Sequence, residues 1–138
     1  MKSLRLFVGI ALLGAVGLGL QGCVSGFRAA NSGVTTLQSF QDGTLVPTTT
    51  FATTDIICFY VSVTWDQITQ DPGWLDAEWF WYKDGKVVAH FENDRANFRG
   101  APNLRVRRES AAALGVGHFT AEYLLDGKQI ASVEFDIK

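Results

Sequence analysis

The stretch Asp55-Ile56-Ile57-Cys58-Phe59-Tyr60-Val61-Ser62-Val63-Thr64-Trp65 alternates with the period of a β-strand. Ile57, Phe59, Val61, Val63 and Trp65 share one face, while Tyr60, Ser62 and Thr64 lie on the other. Two further runs keep this period, and each is interrupted by Asp-Gly. Ala77–Lys83 resumes as Lys86–Glu92 across Asp84-Gly85, and Phe119–Leu125 resumes as Gln129–Ile137 across Asp126-Gly127. Asp-Gly between alternating runs signals a hairpin, because both central residues of a type I′ turn need positive φ. After each turn come Lys, one more residue, an aliphatic and Ala: Lys86-Val87-Val88-Ala89 and Lys128-Gln129-Ile130-Ala131. The same hairpin chemistry is used twice. Weaker strands are expected at Val34–Phe40 and Leu104–Glu109, and no helical period appears among these segments. About seven short strands with two tight hairpins predict an all-β chain, folded as a two-sheet antiparallel sandwich over residues 34–138.

The segment Trp79-Phe80-Trp81-Tyr82-Lys83-Asp84-Gly85-Lys86 resembles the third-strand signature of immunoglobulin-like domains, with Trp81 in the role of the core tryptophan. Gly117-His118-Phe119-Thr120-Ala121-Glu122-Tyr123 resembles their penultimate strand, and Ser132–Ile137 the last. The resemblance covers most of residues 55–137 and implies an immunoglobulin-like fold. Cys58 stands near the first cysteine position of antibody domains, but no partner follows it. Such a fold hosts many activities, so it does not fix one.

The N-terminus has a different character. Lys2 and Arg5 precede an uncharged apolar run from Leu6 to Leu20, and Leu20-Gln21-Gly22-Cys23 follows. A membrane-spanning helix needs about 20 apolar residues, so this run has the length of a signal peptide instead. The tetrapeptide resembles a bacterial lipobox, with Gln21 where a small residue is usual. That resemblance implies a signal peptide over residues 1–22, cleavage before Cys23, and lipidation of Cys23. Two or three acyl chains hold a protein to a membrane where one does so only marginally. Val24 in place of Asp implies, by resemblance to enterobacterial sorting, the outer membrane with the domain facing the periplasm. Residues 23–33 read as the lipidated N-terminus and a tether, spanning roughly 15–20 Å as a flexible coil. The alternative is an ordinary secreted protein in which Cys23 is free to pair with Cys58; with Cys23 lipidated, Cys58 has no partner in the chain.

Composition narrows the function classes. The chain has 12 basic and 14 acidic residues, and without Lys2 and Arg5 the balance becomes more acidic. That argues against general nucleic-acid binding. No nucleophile elbow, phosphate loop, H-E-x-x-H or C-x-x-C occurs, so no catalytic residues, cofactor or metal site are predicted. His90 and His118 have no metal-ligand spacing around them, and Asp66, Asp71, Asp76 and Glu78 lack the spacing of a calcium loop. Cys58, between Ile57 and Phe59, reads as a small buried apolar residue.

Two surface candidates remain. Arg95, Arg99, Arg105, Arg107 and Arg108 form a basic run that can face an anionic surface, or simply mark a solvated edge strand in which Arg105 and Arg107 alternate with Leu104 and Val106. Alternation also opposes Trp79 and Trp81 to Phe80 and Tyr82. If the tryptophans fill the core, Phe80 and Tyr82 form an aromatic stripe outside it, with Trp74 on a loop nearby. The functional expectation is a non-enzymatic lipoprotein, anchored to a membrane through Cys23, whose sandwich contacts an envelope protein through Trp74, Phe80 and Tyr82. The alternative is a module that binds a glycan or another small envelope molecule through the same aromatics.

Overall fold

A computed structural model describes residues 26–66, 73–98 and 103–138. The signal segment, Cys23 and Arg99 lie outside the described residues. The elements run β1 (Phe27–Thr36), α1 (Leu37–Gln41), β2 (Thr50–Phe51), β3 (Ile56–Trp65), β4 (Leu75–Lys83), β5 (Lys86–Ala96), β6 (Asn103–Ser110), α2 (Ala111–Leu114), β7 (Gly117–Leu125) and β8 (Lys128–Ile137). They form a three-stranded sheet, β1-β3-β6, and a five-stranded sheet, β2-β8-β7-β4-β5. The order β8-β7-β4-β5 is the G-F-C sheet of an immunoglobulin domain extended by a C′ strand. The fold is an immunoglobulin-like β-sandwich. Among the described residues no helix is long and apolar enough to cross a membrane.

Both Asp-Gly turns take the expected form: φ is positive at Asp84 and Gly85, and at Asp126 and Gly127. The residues after each turn carry a second instruction. Tyr82 pairs with Val87 but Trp81 pairs with Ala89, which leaves Val88 as a bulge. Likewise Leu124 pairs with Gln129 but Tyr123 pairs with Ala131, leaving Ile130 extra. The repeated aliphatic-Ala pair thus places a small Ala opposite a large aromatic ring, and each extra residue increases local twist.

The core lies between the sheets. Trp79, Trp81, Phe59, Phe119, Tyr123 and Phe135 are almost wholly buried. Phe59 meets Trp79 and Trp81 edge-on, with centroids 5.4 and 6.2 Å away, and Trp81 meets Phe135 at 5.7 Å. Such edge-to-face pairs add about 0.5–1.5 kcal/mol each beyond area burial. Phe59, not Cys58, faces Trp81. Cys58 is buried on the other side of β3, where Thr35 pairs with it and the segment after α1 covers the sheet. There Thr35 Oγ1 donates to the Val46 carbonyl at 2.7 Å. Gly33 sits so close to Tyr60 that an added Cβ would lie 2.7 Å from the phenol oxygen.

Several expectations need correction. Residues 27–33, read as tether, belong to β1. Their polar composition misled because β1 is an edge strand with one face to solvent, while its backbone is paired along β3 from Phe27↔Trp65 to Thr36↔Ile57. Phe27 is buried, stacked on Trp65 at 5.1 Å and edge-on to Phe98 at 5.5 Å. The strand expected at Val34–Phe40 instead ends at Thr36, whose hydroxyl accepts from Ser39 N–H and caps α1. Two short helices therefore stand where none was expected. The described residues hold eight strands, and β2 runs parallel to β8, so the sandwich is not wholly antiparallel.

Phe27→Ala should lower stability by about 3–5 kcal/mol in urea unfolding, as for a core phenylalanine. A tether residue would change it by no more than about 0.5 kcal/mol.

Candidate functional site

The basic run is divided among several surroundings. On β6, Asn103, Arg105, Arg107 and Glu109 pair with Val63, Val61, Phe59 and Ile57, which are all core residues. Directly paired residues share a face, so this polar row turns inward. The edge-strand reading of β6 holds, but Arg105 and Arg107 are not its solvated side; Leu104 is exposed instead. Arg107 lies over the Phe91 ring at 3.5 Å. Arg105 donates from Nη2 to both Asp94 oxygens at 2.9 Å, and Asp94 also accepts from Trp79 Nε1 at 3.0 Å. Burial pushes the Tyr123 phenol upward, opposed by Arg105 beside it. Burial likewise raises Glu109, opposed by Arg107. Arg108 faces the opposite way, over Phe40 at 5.6 Å, and Arg95 lies 3.7 Å from Asp76 and near Trp74. The described arginines do not converge on one anionic surface.

Between Glu92–Asp94 of β5 and Leu104–Arg107 of β6 the two sheet edges leave a cleft of about 470 Å³. Asp94 and Arg105 form a bridge across it. Sequence reading missed Asp94, whose only local signal was an acid two residues beyond Glu92.

On the outer face of the five-stranded sheet, Phe80, Tyr82 and His90 form a continuous stack. Phe80 lies 5.9 Å from Tyr82 with planes 19° apart, and 4.1 Å from His90 with planes 11° apart. All three stay at the surface, Phe80 and Tyr82 half-buried against their neighbours. Burial, joined by the Glu122 carboxylate at its hydroxyl, raises the Tyr82 phenol. Trp74 is 61% exposed. It precedes β4, six residues from Phe80, which at about 3.3 Å per residue is roughly 20 Å along the strand. The Phe80–Tyr82 stripe therefore lies farther along the strand than Trp74.

The acidic residues of the 66–78 segment are dispersed: Asp66 pairs with Arg28, Asp76 with Arg95, and Glu78 with His90, while Asp71 lies outside the described residues. Folding creates one cluster with metal-ligand chemistry. Ligand atoms of Glu78, His90 and Glu92 all come within 4.8 Å of one another. Cys58 is a poor nucleophile, because burial raises its thiol against the pull of Arg108.

Comparison with solved structures supports the fold alone. An immunoglobulin-like protein of Pseudomonas aeruginosa matches with TM-score 0.52 and 17% identity, covering 81% of this chain and 96% of that one. The alkylpurine DNA glycosylase AlkC of Pseudomonas fluorescens, bound to DNA containing an abasic-site analogue, matches with TM-score 0.58 and 12% identity. That match covers 82% of this chain but 30% of the glycosylase, so the chain spans under a third of its length. No family model and no curated protein matches the chain.

Asp94→Ala would leave Arg105 without its partner and the Trp79 N–H without its acceptor. The side chains are 24% and 33% exposed, so water screens part of the loss. The expected destabilisation is about 1–3 kcal/mol in chemical unfolding. No measurable change would show that the bridge does not hold the two sheet edges together.

Proposed function

We propose that this chain is a membrane-anchored envelope lipoprotein whose sandwich serves as a non-enzymatic interaction module. The observation that carries the interaction role is the Phe80–Tyr82–His90 stack. The core is filled by Trp79, Trp81 and their neighbours without it, yet large rings occupy the outer sheet face. Aromatic side chains of this kind are favoured anchors in protein interfaces. The lipobox-like Leu20-Gln21-Gly22-Cys23 supports the anchor, and tethering raises the local concentration of a modest contact patch. The partner is an envelope protein. A glycan-binding module is the alternative, since the same rings offer faces on which a sugar can stack.

In-cell crosslinking with mass spectrometry of linked peptides tests the role. Links from residues 78–90 to one envelope protein are expected, and they should be lost in Phe80→Ser/Tyr82→Ser protein that still folds. Retention of every link would refute the surface; a shift in affinity for oligosaccharides without protein links would favour the alternative. Separately, Cys23→Ala should abolish acyl labelling and release the protein from membranes, and unchanged membrane association would sink the anchor.

A further inference from the structure

We propose that Glu78, His90 and Glu92 form a binding site for a borderline divalent transition-metal ion, with Zn²⁺ as the reference ion. The site shares His90 with the interaction surface but does not depend on that role. The register of β5 produces the grouping. A regular hairpin from Asp84-Gly85 would set His90 opposite Trp79, on the core side. The bulge at Val88 moves the register by one, so His90 pairs with Phe80 and emerges on the outer face. A second irregularity follows, with Trp79 paired to Phe91 and Ala77 to Asp94. Glu92 and Asn93 together therefore oppose Glu78, and Asn93 takes the left-handed conformation at φ +60°. Bulges of this type re-aim side chains. Here two of them bring an imidazole and two carboxylates to one point on adjacent strands.

The imidazole separates this cluster from an ordinary acidic patch. Its plane is set by the Phe80 ring 4.1 Å away, and its Nε2 lies 2.8 Å from Glu78 Oε2. Zinc binds nitrogen and oxygen at about 2.0–2.2 Å, which sets tetrahedral donors roughly 3.3 Å apart. Donors already within 4.8 Å reach that arrangement by small carboxylate rotations. A cleft of about 190 Å³ adjoins the cluster, bounded by Asp76, Glu78, Glu92 and Asn93. At about 30 Å³ per molecule it has room for water to complete the coordination shell. One nitrogen and two oxygens suit zinc and its neighbours better than calcium, which prefers oxygen throughout. Arg95, the nearby cation, is directed to Asp76.

His118 provides the internal contrast. Its Nδ1 lies 2.8 Å from Asp136 and its Nε2 3.8 Å from Glu134. These carboxylates approach different ring nitrogens, so they do not surround a single ion.

The test is calorimetric titration of the purified, chelator-treated full chain with Zn²⁺ at pH 7.5, and with Ca²⁺ for comparison. One equivalent of zinc should bind at least tenfold more tightly than calcium. His90→Gln and Glu92→Gln should each weaken zinc at least tenfold, while His118→Gln stays within twofold of the parent. Circular dichroism checks each fold, and Glu78→Gln on the other strand replaces any variant that unfolds. Absence of zinc binding, equal loss in His118→Gln, or unchanged zinc affinity in the folded cluster variants would overturn the assignment. The last outcome would place any bound zinc elsewhere, on a cysteine thiol for example.

Discussion

The alternation of β4 governs the molecule. Trp79 and Trp81 lie two residues apart on a strand hydrogen-bonded on both sides, so they must point the same way. Their bulk fixes where the opposing sheet can lie, and Phe59 contacts both rings at its centre. The flanking strands adapt by bringing Ala89, Ala121 and Ala131 to positions opposite large rings. Phe80 and Tyr82 then have no choice but the outer face. The candidate interaction surface is thus a by-product of filling the core on the other side of the strand.

The open side of the sandwich is handled by polar chemistry. β5 and β6 are both edge strands, and edges invite unwanted pairing with other chains. β6 answers with an inward row of Asn103, Arg105, Arg107 and Glu109, and β5 answers with bulges. Asp94 ties the two edges by serving Arg105 and Trp79 at once. The contrast with Trp81 is instructive. Its buried indole N–H has no acceptor among the described residues, where Trp79 Nε1 has Asp94.

Sequence reading captured what period and turn chemistry can express. The β3 pattern, both Asp-Gly hairpins, the inward Trp81 and the outward Phe80 and Tyr82 all follow from local rules. It failed where pairing decides. β1 looks like a polar tether because an edge strand needs few apolar residues once its backbone is paired. Arg105 and Arg107 look solvated because their inward direction depends on register with β3. The Glu78–His90–Glu92 grouping was hidden for a sharper reason: the regular register reads His90 as inward, and the Val88 bulge reverses it. Yet a trace was present. The repeated aliphatic-Ala pair after each Asp-Gly marks the place of both bulges.

The early start of β1 also has a consequence for posture. Phe27 pairs with Trp65 only four residues beyond Cys23, and an extended chain reaches at most about 14 Å over that distance. An acyl group on Cys23 would therefore act as a short leash. It would hold one pole of the sandwich down, the pole that carries Phe27, Trp65, Trp74 and the Asp126-Gly127 hairpin. The Asp84-Gly85 tip would stand away from the bilayer by the length of β4. Trp74, with Arg95 beside it, would then rest at headgroup depth, where tryptophan and arginine are at home. Phe80 and Tyr82, farther along β4, would be presented above the lipid.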